Sequence, residues 1–203
     1  MIQKIALGLF LLITVVILAI LGLASTRPAT FHIERSVVTT ASAPAVFEYL
    51  NDLHRFPEWS PWQELDPAMK VEHSGAAAGV GASYYWIGND KVGEGRMTIT
   101  QSIPADHVTM KLEFLKPFAS TSDTKWALMP EGDGTKVTWS MDGNNNFMSK
   151  VMTLFMSMDA VIGKDFEKGL AKLKAVSEAT PPQSATDAVT DTTAAASAAP
   201  ARH

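Results

Sequence analysis

Apolar residues change their spacing along this chain, and each change marks a different kind of element. From Ile5 to Ala24 the run IALGLFLLITVVILAILGLA carries no charge. Roughly 20 residues at a ~1.5 Å rise reach across a ~30 Å hydrocarbon layer, so the run reads as one membrane-spanning helix. The alternative is a cleaved signal peptide, with Lys4 as its basic start and Gly22-Leu23-Ala24 as its cleavage site, although the run is long for a signal core. Phe31–Thr40 (FHIERSVVTT) is β-branched and roughly alternating, which predicts a strand. Ser42-Ala43-Pro44 then opens a short helix with Val46, Phe47, Leu50 and Leu53 on one face. Asp52–Trp62 (DLHRFPEWSPW), interrupted by Pro57 and Pro61, is a compact turn or single helical turn.

Further along, short alternating runs are separated by turn residues. Strands are predicted at Lys70–His73, Ala82–Ile87, Val92–Gln101, Val108–Phe114, Thr121–Met129 and Thr135–Met141. Gly88-Asn89-Asp90, Pro104-Ala105-Asp106 and Glu131-Gly132-Asp133-Gly134 are separators short enough to imply an antiparallel meander. Val108, Met110, Leu112 and Phe114 share one face, and Val137, Trp139 and Met141 share another stretch of it. After Gly143 and three asparagines, the i, i+3, i+4 spacing of Met148, Val151, Met152, Phe155, Met158, Ile162, Phe166, Leu170 and Leu173 predicts one long helix from Phe147 to about Val176. An α+β architecture follows: a curved antiparallel sheet wrapped around a long C-terminal helix, preceded by a single transmembrane helix. The expected divisions are an anchor and linker at 1–29, a folded domain at 30–176 and a tail at 177–203. That tail lacks aromatic residues and is read as disordered.

Composition narrows the function. The 203 residues have a formal charge of −4, too little basic character for a general nucleic-acid binder. With no cysteine, a disulfide framework, a thiolate metal site and a cysteine nucleophile are all excluded. Histidines at 32, 54, 73, 107 and 203 are scattered away from metal-ligand spacing, so neither metal nor cofactor is expected. No nucleophile elbow, zinc motif, Walker motif or dinucleotide fingerprint is present. Gly75–Gly81 (GAAAGVG) lacks a phosphate-binding ending and reads as a loop. Glu94 and Arg96 share a strand face, but Met97 and Ile99 have the opposite parity and take the apolar side. The charged pair is therefore a solvated one, unless a bulge at Gly93 or Gly95 turns it inward. Asp52, His54, Arg55 and Glu58 read as surface charges that either ring a cavity mouth or simply sit on a turn.

Particular phrases carry a resemblance. Ala43–Phe47 (APAVF), Leu53–Trp62 (LHRFPEWSPW), Val92–Ile99 (VGEGRMTI), Leu112–Phe118 (LEFLKPF) and Asp165–Leu173 (DFEKGLAKL), in this order of elements, resemble the SRPBCC superfamily, the START-like helix-grip fold. Within it they are similar to the bacterial polyketide cyclase/dehydratase and lipid-transport branch. The resemblance implies an elongated hydrophobic cavity between sheet and C-terminal helix. Residues expected to bind its contents are Tyr85, Trp86, Met97 and Ile99 on the earlier strands, and Met110, Leu112, Phe114, Val137, Trp139 and Met141 on the later ones. Phe155, Met158 and Ile162 join them from the helix, with Trp59 and Trp62 as lid candidates at the mouth. Half of the ten methionines (Met141, Met148, Met152, Met156 and Met158) cluster near that helix, and methionine adapts to varied apolar partners or simply fills a flexible core. The leading expectation is a membrane-anchored protein, attached through residues 5–24 with its domain on the extracytoplasmic side. It would hold a hydrophobic small molecule or lipid and would not act on nucleic acid. The alternatives are a cyclase/dehydratase-like enzyme working in the same cavity, and a membrane-attached module whose tail recruits a partner.

Overall fold

The computed structural model describes residues 2–180. The chain opens with α1 (Ile2–Ser25), β1 (Thr30–Thr39), α2 (Ala43–Asn51) and the single turn α3 (Phe56–Trp59). Six strands follow: β2 (Lys70–Gly75), β3 (Ala82–Ile87), β4 (Glu94–Ile103), β5 (His107–Lys116), β6 (Ser120–Glu131) and β7 (Gly134–Asn144). Two helices, α4 (Phe147–Met152) and α5 (Met158–Ala179), close the fold. The short polar turns make β2 to β7 a meander in which each strand is antiparallel to the next. β1 returns to pair with β7, giving the sheet order β1-β7-β6-β5-β4-β3-β2. β1 and β2 are therefore opposite edges, and α2 and α3 carry the chain from one to the other across the inner face.

Alternation decides that face as the sequence implies: Val108, Met110 and Leu112 are buried, while Thr109 and Lys111 are not. α2 starts with Pro44 in its first turn, where a missing N–H leaves no bond unmade, and it buries Val46, Tyr49 and Leu50. Its position is fixed at both ends. The Thr135 hydroxyl donates to the Ala41 carbonyl at 2.8 Å, and Ser102 and Asn51 join side chain to side chain at 2.6 Å. α2 thus lies over β6 and β5, with its ends tied to the start of β7 and the end of β4.

The expected single C-terminal helix is instead two. The Asn146 side chain accepts the Ser149 N–H at 2.8 Å and caps α4, while the Ser157 hydroxyl accepts the Ala160 N–H at 3.2 Å and starts α5. Asp159, in the first turn of α5, pairs with Arg35 of β1 at 3.0 Å, and Arg35 also holds Glu167 at 2.9 Å. The sheet, not α4, therefore sets the direction of α5. Apolar spacing runs through Phe155 and Met158 with or without a break, so periodicity cannot register the cap. At its other end α5 passes the expected stop at Val176, because the Glu178 carboxylate accepts the Thr40 N–H at 2.8 Å and the Thr39 and Thr40 hydroxyls at 3.1 Å each. The Thr40 N–H, the neighbouring Lys174 ammonium and those hydroxyls hold the Glu178 carboxyl down at about 2. From residue 181 on, the tail lies outside the described residues.

Candidate ligand-binding cavity

The inner face of the sheet has two halves. On the side covered by α2, Val46 and Leu50 of that helix and Ile99, Met110, Leu128 and Val137 of the strands are all buried in one apolar core. Toward the other end of the same strands, the segment after α3 and the first turns of α5 form a roof that rests on the sheet through ring contacts and leaves a gap beside them. The space beneath it is a cavity of about 240 Å³.

Rings make most of its wall: Phe56 and Trp62 around α3, Tyr84 and Trp86 on β3, Phe114 on β5, Trp126 on β6, Trp139 on β7 and Phe166 on α5. They brace one another. Trp139 stacks on Phe166 with centroids 4.0 Å apart and lies 4.9 Å from Trp126, while Trp86 meets Phe114 edge-on at 5.8 Å and Phe56 meets Tyr84 edge-on at 5.4 Å. Such stacked and edge-to-face pairs are favourable beyond their buried area, so the wall cannot fold inward without losing them. Two glycines allow this arrangement. A Cβ on Gly95 would stand 2.4 Å from the Trp86 ring, and one on Gly169 would stand 2.7 Å from Trp139.

Few polar atoms enter. Trp139 donates its Nε1–H to the Thr124 hydroxyl at 2.8 Å, and that hydroxyl donates to the Ser140 carbonyl at 3.0 Å, so this pair is satisfied. Tyr84 Oη and Trp126 Nε1, by contrast, are buried without a hydrogen-bond partner among the described residues. Burial pushes the Tyr84 phenol up to about 12, so at neutral pH it is an uncharged O–H donor. A buried donor left unpaired costs on the order of 1–3 kcal/mol, a cost that an acceptor relieves only once the ring shifts to present the donor to it. Charge stays at the rim, where exposed Lys91 and half-buried Asp165 are found. Among the described residues no group of three His, Asp or Glu side chains is arranged to hold a metal ion.

Of the residues expected to bind a ligand, Trp62, Trp86, Met97, Leu112, Phe114, Trp139, Met141 and Ile162 line this cavity. The others lie elsewhere, for identifiable reasons. Trp59 is no lid: it is fully buried behind the wall, edge-on to Trp126 and Trp139, with its Nε1–H on the Tyr49 carbonyl at 3.2 Å. Tyr85 has the opposite parity to Trp86 and faces outward, where its hydroxyl donates to Glu94 at 2.6 Å. Ile99, Met110 and Val137 are on the correct face but in the half that α2 fills. Phe155 is 73% exposed, carried outward by the helix break, and Met158 packs at the edge of the core, bordering a separate shallow hollow with Arg27. Tyr84 and Trp126, absent from the expected set, were legible from parity: each is two residues from another inward position, Trp86 and Thr124 or Leu128.

The polar candidates settle on the surface. A register shift does occur between Glu94 and Gly95, yet Glu94 stays on the outer face, paired with Lys116 at 2.6 Å rather than with Arg96. Arg55 bonds Glu58 at 3.3 Å and covers the Tyr49 ring at 3.5 Å, and His54 takes Asp52 at 2.9 Å, away from the cavity lining.

An antiparallel sheet that grips a C-terminal helix around an apolar cavity defines a helix-grip protein. The chain belongs to the polyketide cyclase / dehydrase and lipid transport family, whose profile matches residues 30–178, and so to the SRPBCC superfamily. Solved structures share the fold at low identity. Protein CV1439 from Chromobacterium violaceum superposes with a TM-score of 0.52 at 15% identity, over 74% of this chain and 99% of that one. Mll3558 from Rhizobium loti gives 0.51 at 22% identity, over 72% and 95%. The di-domain ARO/CYC StfQ of the steffimycin biosynthetic pathway gives 0.54 at 13% identity, and 74% of this chain spans about half (51%) of that one. No curated protein matches the chain in sequence.

Proposed function

We propose that the protein is a membrane-tethered carrier whose cavity holds one neutral, mostly apolar molecule bearing acceptor oxygen. The observation that carries this reading is the cavity itself: about 240 Å³, walled by rings, two of which carry buried uncharged donors, Tyr84 Oη–H and Trp126 Nε1–H, without partners among the described residues. Its size lies between a ~150 Å³ void that accepts benzene and the ~300–1,000 Å³ of drug-sized sites. A one- or two-ring molecule, or an acyl segment of equal volume, fits that space. A carboxylate or ammonium does not suit it, since burying a charge requires a paired counter-charge and the lining charges are at the rim. For the same reason the enzymatic alternative is less supported: acid–base work inside would need an ionisable group there, and Tyr84 is held neutral. α1, long and apolar enough to cross a membrane with a mean hydropathy of 3.0, is the tether.

Titrating the full chain in detergent with a bicyclic ketone, its parent hydrocarbon and a carboxylate of equal size, read by tryptophan fluorescence, tests the reading. The ketone is expected to bind about tenfold tighter than the hydrocarbon, one hydrogen bond's difference, and the carboxylate most weakly. Saturable binding of none of the three, or preference for the carboxylate, would overturn it.

A further inference from the structure

The helix break has a second consequence besides removing Phe155 from the cavity. It leaves Phe147, Met148 and Met152 on α4, together with Phe155 and Met156 in the turn after it, exposed on one small region. Large apolar side chains grouped in this way on a folded surface mark a contact with something apolar. Their position says what. From Gln3 to Ser25, all residues of α1 are exposed except Ile20 and Ala24, one turn apart on a single face, and α1 packs beside α4. The joint is fastened: the Asn145 N–H donates to the Ala29 carbonyl at 2.8 Å, and its side-chain amide donates to the Pro28 carbonyl at 3.2 Å. α4 is therefore held beside the last turn of the apolar run that ends at Ala24, at the depth where a spanning helix leaves the hydrocarbon.

We infer that Phe147, Met148, Met152, Phe155 and Met156 form a second, non-spanning membrane contact, inserted into the headgroup–acyl boundary of the bilayer that α1 crosses. This rests on the tether reading and goes beyond it. The occupant is lipid rather than another protein because the patch continues the apolar surface of α1 and lies against it. Arg27 and Lys150 flank the patch, cationic groups suited to headgroup phosphates. The contact also fixes the domain's orientation. β1 rises about 33 Å over its ten residues, which puts the β6–β7 turn far from the surface. Met158, two residues after the patch, is one helical turn from Ile162 in the cavity lining, so the cavity roof begins near the lipid.

With no native cysteine, single probes are clean. Full-length Met148→Cys and Phe155→Cys, with Asp133→Cys in the β6–β7 turn as reference, are labelled with an environment-sensitive fluorophore. They are reconstituted in phosphatidylcholine vesicles containing shallow (5-doxyl) or deep (12-doxyl) lipid. The expected result is at least about threefold stronger quenching at 148 and 155 than at 133, with shallow lipid the more effective, as for side chains a few ångströms below the headgroups. Labels at 148 and 155 that respond like 133, open to aqueous iodide, overturn the inference. Protection from iodide without lipid quenching also overturns it, since residues 181–203 or a second copy then covers the patch. Alkaline carbonate extraction separates the failures: a chain that washes off contradicts the tether, whereas a retained chain with unquenched probes contradicts this contact alone.

Discussion

Ile99 and Met97 are neighbouring inward positions on one strand, yet they inhabit different environments. Ile99 pairs with Met110 in the buried core, outside the cavity lining. Met97, paired with Leu112, faces the cavity. The two halves of this sheet face have the same strands, the same parity and similar side chains. What differs is the roof: a continuous helix seated directly on aliphatic side chains at one end, and a wall of braced rings that holds the roof away at the other. Hydrophobic patterning produces burial, and the spacing between layers decides whether burial produces core or cavity.

That contrast is breakable by substitution. The largest effect is expected from truncation in the filled half: Ile99→Ala should cost about 2–5 kcal/mol, the usual range for a close-packed site, whereas Met97→Ala, which already borders a void, should cost less than half as much by denaturant unfolding. Enlargement should reverse the order. Ile99→Phe has no space to occupy and should destabilise by about 1–3 kcal/mol, while Leu112→Phe extends into the cavity, leaves stability close to wild type and weakens ketone binding. Equal penalties in both halves would mean the cavity is not a standing feature of the fold.

A smaller, more pointed change is Tyr84→Phe. Removing a buried hydroxyl that has no partner should leave the unfolding free energy unchanged or raise it by up to about 1 kcal/mol, while the ketone-over-hydrocarbon preference falls about tenfold. A Tyr84→Phe protein that is markedly less stable would show that the hydroxyl is satisfied within the fold.

Smallest is the clamp at the filled end, where Glu178 holds α5 to Thr40. Its carboxyl lies at about 2 when folded, against the model-peptide value of 4.5. A lowered folded pKa contributes stability that is fully present above about 4.5 and is lost as pH falls through about 2. Glu178→Gln should therefore flatten the acid limb of a stability-versus-pH curve between those values, with no change in ligand affinity. Solvent exposure keeps the effect modest.

Much of this architecture was legible in the sequence because it depends on local rules. Strand parity identified the inner face from Val108 to Phe114, proline at position 44 marked the start of α2, and glycine- and asparagine-rich turns implied the meander. The motifs from Ala43 to Leu173 pointed to the helix-grip fold that the structure shows. The division of the inner face was not legible. Whether Ile99 or Met97 borders open space depends on where α2 comes to rest, and that is set by Thr135 and Ser102, distant in sequence. Nor could spacing show the break before Met158, which rests on the Ser157 hydroxyl and on an ion pair between Asp159 and Arg35. The period-two rule itself puts Tyr85 on the outer face once Trp86 points inward, as its bond to Glu94 shows.

The methionines offer the most direct test of the central claim, because they sample every environment at once. Met69, Met97 and Met141 line the cavity, Met110 lies in the filled half, and Met148, Met152 and Met156 are in the exposed patch. With ¹³C-methyl-methionine labelling of the full chain, a titration with the bicyclic ketone should shift the Met97 and Met141 signals saturably and leave Met110 unmoved. Shifts confined to Met148, Met152 and Met156, with Met97 and Met141 silent, would show that apolar molecules meet the surface and that the cavity is not where this protein holds them.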